Sequence, residues 1–291
     1  MDFSIWLSHF FNALTLGFLL ALITSGLTLS FSFLNVINFA HGAMYMLAAY
    51  LGYQFYQATG QFWLALLVIP IVMGLISMPL QHFVLRRLAP VSPIYVILFT
   101  FGLALVVENV TRIIWGPNII SVSPPPLLSG SIDLFGAPFP VYRLFIIVFS
   151  ALVLLSVYFI LHRMPVGIIV RAGTEDQEMA AALGVNIHLV GVGVFGFGTF
   201  LAGLAGVIAA PYTALSPHMG VSIIVMAFLV MVIGGMTSFA GTVLSGLLVG
   251  FVQVFGGIYF SDLATAFALI LMIIVILTNQ KGLSALFEKA R

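Results

Sequence analysis

The sequence predicts an all-α polytopic membrane helix bundle of about nine spans, within a range of eight to ten. Three observations carry that prediction. First, hydrophobic residues fill 62% of the 291 positions and charged residues only 6%, where a soluble domain carries roughly 25% charged residues. Such a chain cannot solvate a globular surface. Second, the apolar runs are long and continuous. A lipid solvent admits only helices or closed barrels, and barrel strands read as short alternating segments. Third, the basic residues recur at intervals that fit a helical topology.

A span needs roughly 20 apolar residues. Candidate spans lie at about 10–33, 39–57, 62–84, 93–115, 141–161, 188–210, 220–236, 241–258 and 263–279. The segments 39–57, 220–236 and 241–258 are short and rich in glycine, so each is open to a tilted, broken or re-entrant reading. Residues 1–291 are expected to form a single transmembrane domain. Met1-Asp2-Phe3 carries no basic leader region, so the first apolar stretch is expected to be a retained span.

Arg86 and Arg87 follow the third span, Arg163 and Arg171 the fifth, and Lys281, Lys289 and Arg291 the ninth. With nine spans all seven fall on one side, and only Arg112 and Arg143 lie opposite. The positive-inside rule makes the basic side cytoplasmic. The N-terminus is then expected outside and the C-terminus in the cytoplasm.

On the outer side the longest loop covers 116–140. Pro124, Pro125 and Pro126 favour extended polyproline geometry there. The loop reads either as a spacer or as a docking surface for an external partner. Small residues recur at helical spacing, with Gly198, Ala202 and Gly206 on one face and Thr242, Gly246 and Gly250 on another. Such faces let backbones approach closely in lipid. Tight packing within one subunit, a moving gate or a second subunit would each use them. A short internal echo links Asn38-Phe39-Ala40-His41-Gly42 to Ser238-Phe239-Ala240-Gly241, each opening a helix rich in small residues.

The polar segment 163–187 is the most informative. Thr174 and Gln177 have the spacing of a capping box. Glu175, Asp176 and Glu178 place negative charge in a first turn, where the helix dipole favours it. Gly184 stands where a C-terminal glycine belongs. The pattern predicts a short cytoplasmic helix over 175–183, with Met179, Ala180 and Leu183 on one face. It would either lie on its own bundle or present that face to a partner's groove.

Ionisable residues within spans are costly and are functional candidates. Glu108 precedes Arg112 by four residues, the favourable order for an ion pair. Either a local pair or a solute contact follows. Asn35, Asn38 and His41 cluster where the first span meets the second, as turn anchors or as pathway lining. Asn109 adjoins Glu108.

No catalytic motif emerges. The chain has no H-E-x-x-H, no G-x-S-x-G and no cluster of carboxylates. Cysteine is absent, which removes disulfides and thiolate metal sites. The net charge of +1 gives no reason to expect nucleic acid. There is no G-x-x-x-x-G-K-[ST] phosphate loop and no paired acid for ion coupling. A transporter with an ordered cytoplasmic helix but no motor of its own fits one that borrows a motor.

The runs GLTLSFSFLNVINFAHGAMYMLAAY at 26–50, RAGTEDQEMAAALGVN at 171–186 and VIGGMTSFAGTVLSGLLVG at 232–250 together resemble the branched-chain amino acid ABC-transporter permeases, in their shorter type. The resemblance covers nearly the whole chain. It implies a vitamin-B12-permease-like importer fold in a bacterial or archaeal cell membrane. It implies a second, usually different and longer, permease subunit, two cytoplasmic ATPase subunits and an extracytoplasmic solute-binding protein. The membrane lipid is the remaining partner. The 163–187 loop would be the coupling loop, with Arg171, Glu175, Asp176, Met179, Ala180, Leu183 and Gly184 matching its motif. The 116–140 loop and the one near 211–219 would face the binding protein. This chain would bind no cofactor, since ATP and Mg²⁺ belong to the partner ATPases, and it would catalyse nothing itself.

The resemblance points to branched-chain or other hydrophobic amino acids as solutes, with urea or short-chain amides as the alternative. The resemblance implies that relatives often carry a neutral Gln-Asn pair where this chain has Glu108-Asn109, and a carboxylate there would favour an amine or amide. A self-sufficient channel or secondary carrier is the competing class, and it would transport without ATP or a binding protein.

Overall fold

The computed structural model describes residues 3–134, 137–260, 263–279 and 282–284. Lys281, Lys289 and Arg291, three of the basic residues used to orient the chain, lie outside the described residues.

All nine predicted segments are helical. They form α1 (Phe3–Leu34), α2 (Ala40–Thr59), α3 (Phe62–Leu88), α4 (Pro93–Trp115), α5 (Val141–Arg163), α8 (Ile187–Ala209), α9 (Met219–Gly234), α10 (Phe239–Tyr259) and α11 (Ala264–Thr278). The segment between α5 and α8 holds α6 (Pro165–Glu175) and α7 (Gln177–Ala182). Six helices are long and apolar enough to cross a membrane: α1, α3, α4, α5, α8 and α10. The last two helices of the remaining three, α9 and α11, are apolar but shorter. The chain is a multi-pass membrane protein.

Two ends of the bundle are distinct. At the basic end, Leu34, Leu85 and Phe195 border one small cavity, and Gln177 reaches the carbonyl of Phe33. At the opposite end, Arg143 donates to the side chain of Asn12. Tyr142 donates to the carbonyl of Ile208 at 2.8 Å, and Trp115 to Gln54 at 3.1 Å.

At the core α1 packs most extensively on α10 and α8. Glycine makes this possible, because lipid offers no hydrophobic drive and association rests on close packing. A β-carbon on Gly198 would strike Ser30 Oγ and the carbonyl of Gly26, and one on Gly246 would strike Ala21. Gly206 lies against Tyr45 and Ala48, and Gly250 against Gly17. Thr242 hydrogen-bonds Thr28 at 2.9 Å. Both stripes of small residues therefore serve packing inside this chain.

The sequence echo is also structural. Asn38 Oδ1 accepts from the Ala40 amide, and Ser238 Oγ from the Gly241 amide. Gly42 then presses on Gly220, and Gly241 on Gly234. The starts of α2 and α10 thus grip the two ends of α9.

The second predicted span does not begin at a bundle end. His41 Nε2 contacts the carbonyl of Ile23 at 3.0 Å, and Ile23 precedes the last residue of α1, Leu34, by eleven residues. At ~1.5 Å per residue that is about 16 Å along α1. The segment 35–39 therefore climbs back into the bundle before α2 starts. Its reversal is set by Asn35, the one described non-glycine residue with positive φ, at 50°. Asparagine tolerates that left-handed geometry better than most residues.

The 116–140 segment is more ordered than its prolines predict. Pro126–Leu128 makes a 3₁₀ turn, and Ser131–Leu134 (β1) pairs antiparallel with Ala137–Pro140 (β2). Phe139 is buried, with its ring 5.4 Å from that of Phe11. Burying that aromatic on α1 is what a purely extended spacer would forgo. Farther up, Ile120 and Leu215 form an isolated antiparallel bridge.

Candidate functional site

Two arrangements concentrate the polar chemistry, one at each end. The first is α7. The capping box expected from Thr174 does not form. Thr174 lies inside the last turn of α6 and its hydroxyl donates to the Arg171 carbonyl at 2.7 Å, a local bond that keeps it from capping. Asp176 is extended instead, at φ −152° and ψ 103°, and its Oδ1 accepts from the Met179 amide at 2.9 Å. Asp176 is thus the N-cap, and the helix is the shorter Gln177–Ala182 rather than 175–183. Glu175 closes α6, so only Glu178 stands in the first turn of α7.

The C-terminal expectation holds in detail. Gly184 has φ +89°, its amide bonds the Ala181 carbonyl, and the Val185 amide bonds the Ala180 carbonyl. This is a Schellman closure, in which a left-handed residue lets the last carbonyls be satisfied. Gln177 Nε2 donates to the Phe33 carbonyl at 2.6 Å, and Asn186 caps α8 through the Leu189 amide. The Gln177 bond fixes the short helix to the end of α1, and α8 begins with its own cap.

The faces differ from expectation. Met179 and Leu183 are 59% and 78% exposed, but Ala180 is only 3% exposed. Ala180 therefore seats the helix on its own chain, and the outward knob is Met179 with Leu183. Arg171 lies half-buried on α6. Replacing Asp176 with alanine is expected to cost the helix about 1 kcal/mol, the usual value of an N-cap. Hydrogen exchange at the Met179 amide should then speed up by about five-fold or more.

The second arrangement is a cavity of about 150 Å³ near the opposite end, between α2, α4 and α9. Its walls are apolar, with Phe39, Ala43, Phe101 and Ile224 among them, and Glu108 on its border. Glu108 is 8% exposed. The Arg112 guanidinium donates to Glu108 Oε1 at 3.2 Å, and His218 Nδ1 approaches the same oxygen at 2.9 Å. His218 Nε2 lies 3.3 Å from Arg112 Nη2. The predicted Glu108–Arg112 pair is present, but it belongs to a trio.

The remaining pathway candidates do not join this cavity. His41 is fully buried and faces α1. Asn38 borders a separate small cavity with Ser30 and Gln81. Asn35 is exposed at the reversal after α1. Asn109 is exposed, its amide donating to the Leu105 carbonyl. Neighbours on a helix point apart, so Asn109 cannot share the face of Glu108.

Sequence reasoning missed His218, and it gave Gln177 to a capping box rather than to the Phe33 carbonyl. The signal for His218 was faint, a single histidine in the loop before α9. Its partner lies 110 positions earlier. Among the described residues no group of three His, Asp or Glu is arranged to hold a metal ion.

Comparison with known proteins agrees with this architecture. A family model described as branched-chain amino acid transport system, permease component, matches residues 9–276. The chain is similar to the high-affinity branched-chain amino acid transport system permease protein LivH of Salmonella typhimurium, at 28% identity over 97% of each chain. It is equally similar to LivH of Escherichia coli K12, at 28% identity and 97% coverage of each. BraD of Pseudomonas aeruginosa, named likewise as a high-affinity branched-chain amino acid transport system permease protein, is 26% identical over 93% of each chain. No solved structure matches. A family model that spans almost the entire helical bundle makes the assignment plain: this chain belongs to the permease components of the branched-chain amino acid transport system family.

Proposed function

We propose that the chain is the transmembrane permease subunit of an ABC importer for branched-chain and other hydrophobic amino acids. It works with a second permease subunit, two cytoplasmic ATPases that bind ATP and Mg²⁺, and an external solute-binding protein. The basic end faces the cytoplasm, with the N-terminus outside and the C-terminus inside. In that orientation all nine predicted spans cross, the shorter α9 and α11 among them and α2 from a start inside the bundle.

The observation that carries the reading is α7. A transporter without a phosphate loop needs a rigid handle for an external motor. Here a capped helix at the basic end is anchored by Gln177 and Ala180 and shows Met179 and Leu183 to solvent. Arg171, Glu175, Asp176 and Gly184 frame that handle, and Asp176 and Gly184 do so by closing its two ends. Glu108 is the pathway residue this reading favours most, because it alone of the candidates borders the apolar cavity. Its carboxylate also suits an amide, the class of solute in the urea and short-amide alternative. The cavity's apolar walls favour a branched side chain instead.

Reconstitution of the full assembly in proteoliposomes tests the proposal. Uptake of labelled leucine, isoleucine and valine should require ATP, both ATPases and the binding protein. Transport by this chain alone, without ATP, would overturn it, and preferential uptake of urea would shift the solute class.

A further inference from the structure

The contacts of His218 specify more than an ion pair. Arg112 can only donate, so His218 Nε2, 3.3 Å from its Nη2, must accept. Nδ1 of the same ring lies 2.9 Å from Glu108 Oε1. One edge of the imidazole thus covers both members of the Glu108–Arg112 pair, beside the cavity. An α-amino-acid head group matches those two members directly, with an ammonium that donates to the carboxylate and a carboxylate that accepts from the guanidinium.

We infer that Glu108 and Arg112 form a receptor for the zwitterionic head group of an α-amino acid, and that His218 is a resident surrogate which the solute displaces. The ammonium takes the place of Nδ1 beside Glu108, and the carboxylate takes the place of Nε2 before Arg112. The side chain enters the adjoining cavity, against Phe39, Ala43, Phe101 and Ile224. Both contacts of the head group are charge-assisted, so the exchange favours the zwitterion. A solute lacking either charge leaves one member of the pair unmatched, which is how a polar site rejects close analogues.

His218 is placed to move. Its side chain is 69% exposed. It follows Pro217, which borders the cavity, and stands three residues after Leu215, whose amide and carbonyl both bond Ile120. Displacing the imidazole therefore shifts a loop tied to the 116–140 segment. Head-group arrival and rearrangement of the outer loops become one event.

This inference rests on the reading that the assembly carries amino acids, and the test separates the two. Saturation-transfer NMR on the detergent-solubilised permease–ATPase assembly compares leucine with leucinamide, which lacks the carboxylate, and with 4-methylpentanoate, which lacks the ammonium. Leucine should bind about ten-fold more tightly than either analogue, the scale of one charge-assisted bond. Arg112→Gln should abolish the discrimination against leucinamide, and Glu108→Gln that against 4-methylpentanoate. His218→Ala, a change on an exposed loop that does not threaten the fold, should tighten leucine binding several-fold by removing its competitor. Unchanged ratios in the first two variants, or weaker leucine binding in His218→Ala, would overturn the inference. If leucine uptake by the reconstituted assembly persists in that case, only the head-group receptor falls. If wild-type protein neither binds nor carries leucine, both readings fall.

Discussion

Leu183→Asp is expected to release the permease from the ATPase proposed as its motor, while leaving the permease folded. Leu183 is 78% exposed and caps α7 in a backbone geometry that aspartate adopts freely. Its side chain has little to lose within this chain. If it fills a groove on the ATPase, the substitution removes roughly 2 kcal/mol of apolar burial. It also forces a carboxylate to be desolvated, at a further cost of about 1–3 kcal/mol or more. Association should weaken by at least ~100-fold, and ATP-dependent uptake should fall with it. Co-purification of tagged permease with the ATPase, alongside a thermal melt of the permease alone, measures both halves. Retained association would remove α7 as the handle. Ala180→Asp is a poor substitute, because that residue is buried and the variant would disturb the helix seat itself.

Gly198→Leu should be among the most damaging single substitutions in the bundle, and Gly193→Leu among the mildest, although both lie on α8. At Gly198 the first atom of any side chain meets Ser30 Oγ and the backbone of Gly26. Backbone cannot swing aside as a flexible side chain can, so α1 and α8 must part. Overpacking of this kind costs about 3 kcal/mol or more. A β-carbon on Gly193 meets no atom within 4 Å. That substitution gains up to ~1 kcal/mol of helix propensity. The comparison cancels the shared change in residue type and helix. In detergent the Gly198 variant should melt at least ~6 °C below wild type, and the Gly193 variant at or above it. Equal melting temperatures would mean that α1 and α8 do not approach as described.

The nine helices were legible because each is announced locally. Continuous apolar runs need only their own composition to demand a helix in lipid. Closure of α7 at Gly184 was legible for the same reason, since a left-handed cap has a one-residue signature. The opening of α7 was not. Thr174 and Asp176 both suit an N-cap, and the choice between them turned on whether the preceding turn was already helical. The Pro165 start of α6 decided that, and its consequence appears only ten residues later.

What depends on distant partners lay beyond the sequence. Glu108 and Arg112 share a helix turn, so their pairing could be read directly, whereas His218 joins them from the far side of α9's start. Ala180, Met179 and Leu183 looked alike in a linear pattern, and only contact with the rest of the chain divided an anchor from a knob. The glycine stripes announced close approach but not the neighbour, and α1 against α8 and α10 supplied it. The sequence by itself determined a charge-poor helical membrane bundle, the approximate positions of its helices and a short capped helix at its basic end. Those properties come from composition and from bonds within a few residues. The tertiary structure decided where α2 begins, which small residues meet, and that an imidazole closes the Glu108–Arg112 pair. Those are matters of which surfaces meet in space, and one-dimensional periodicity carries no record of them.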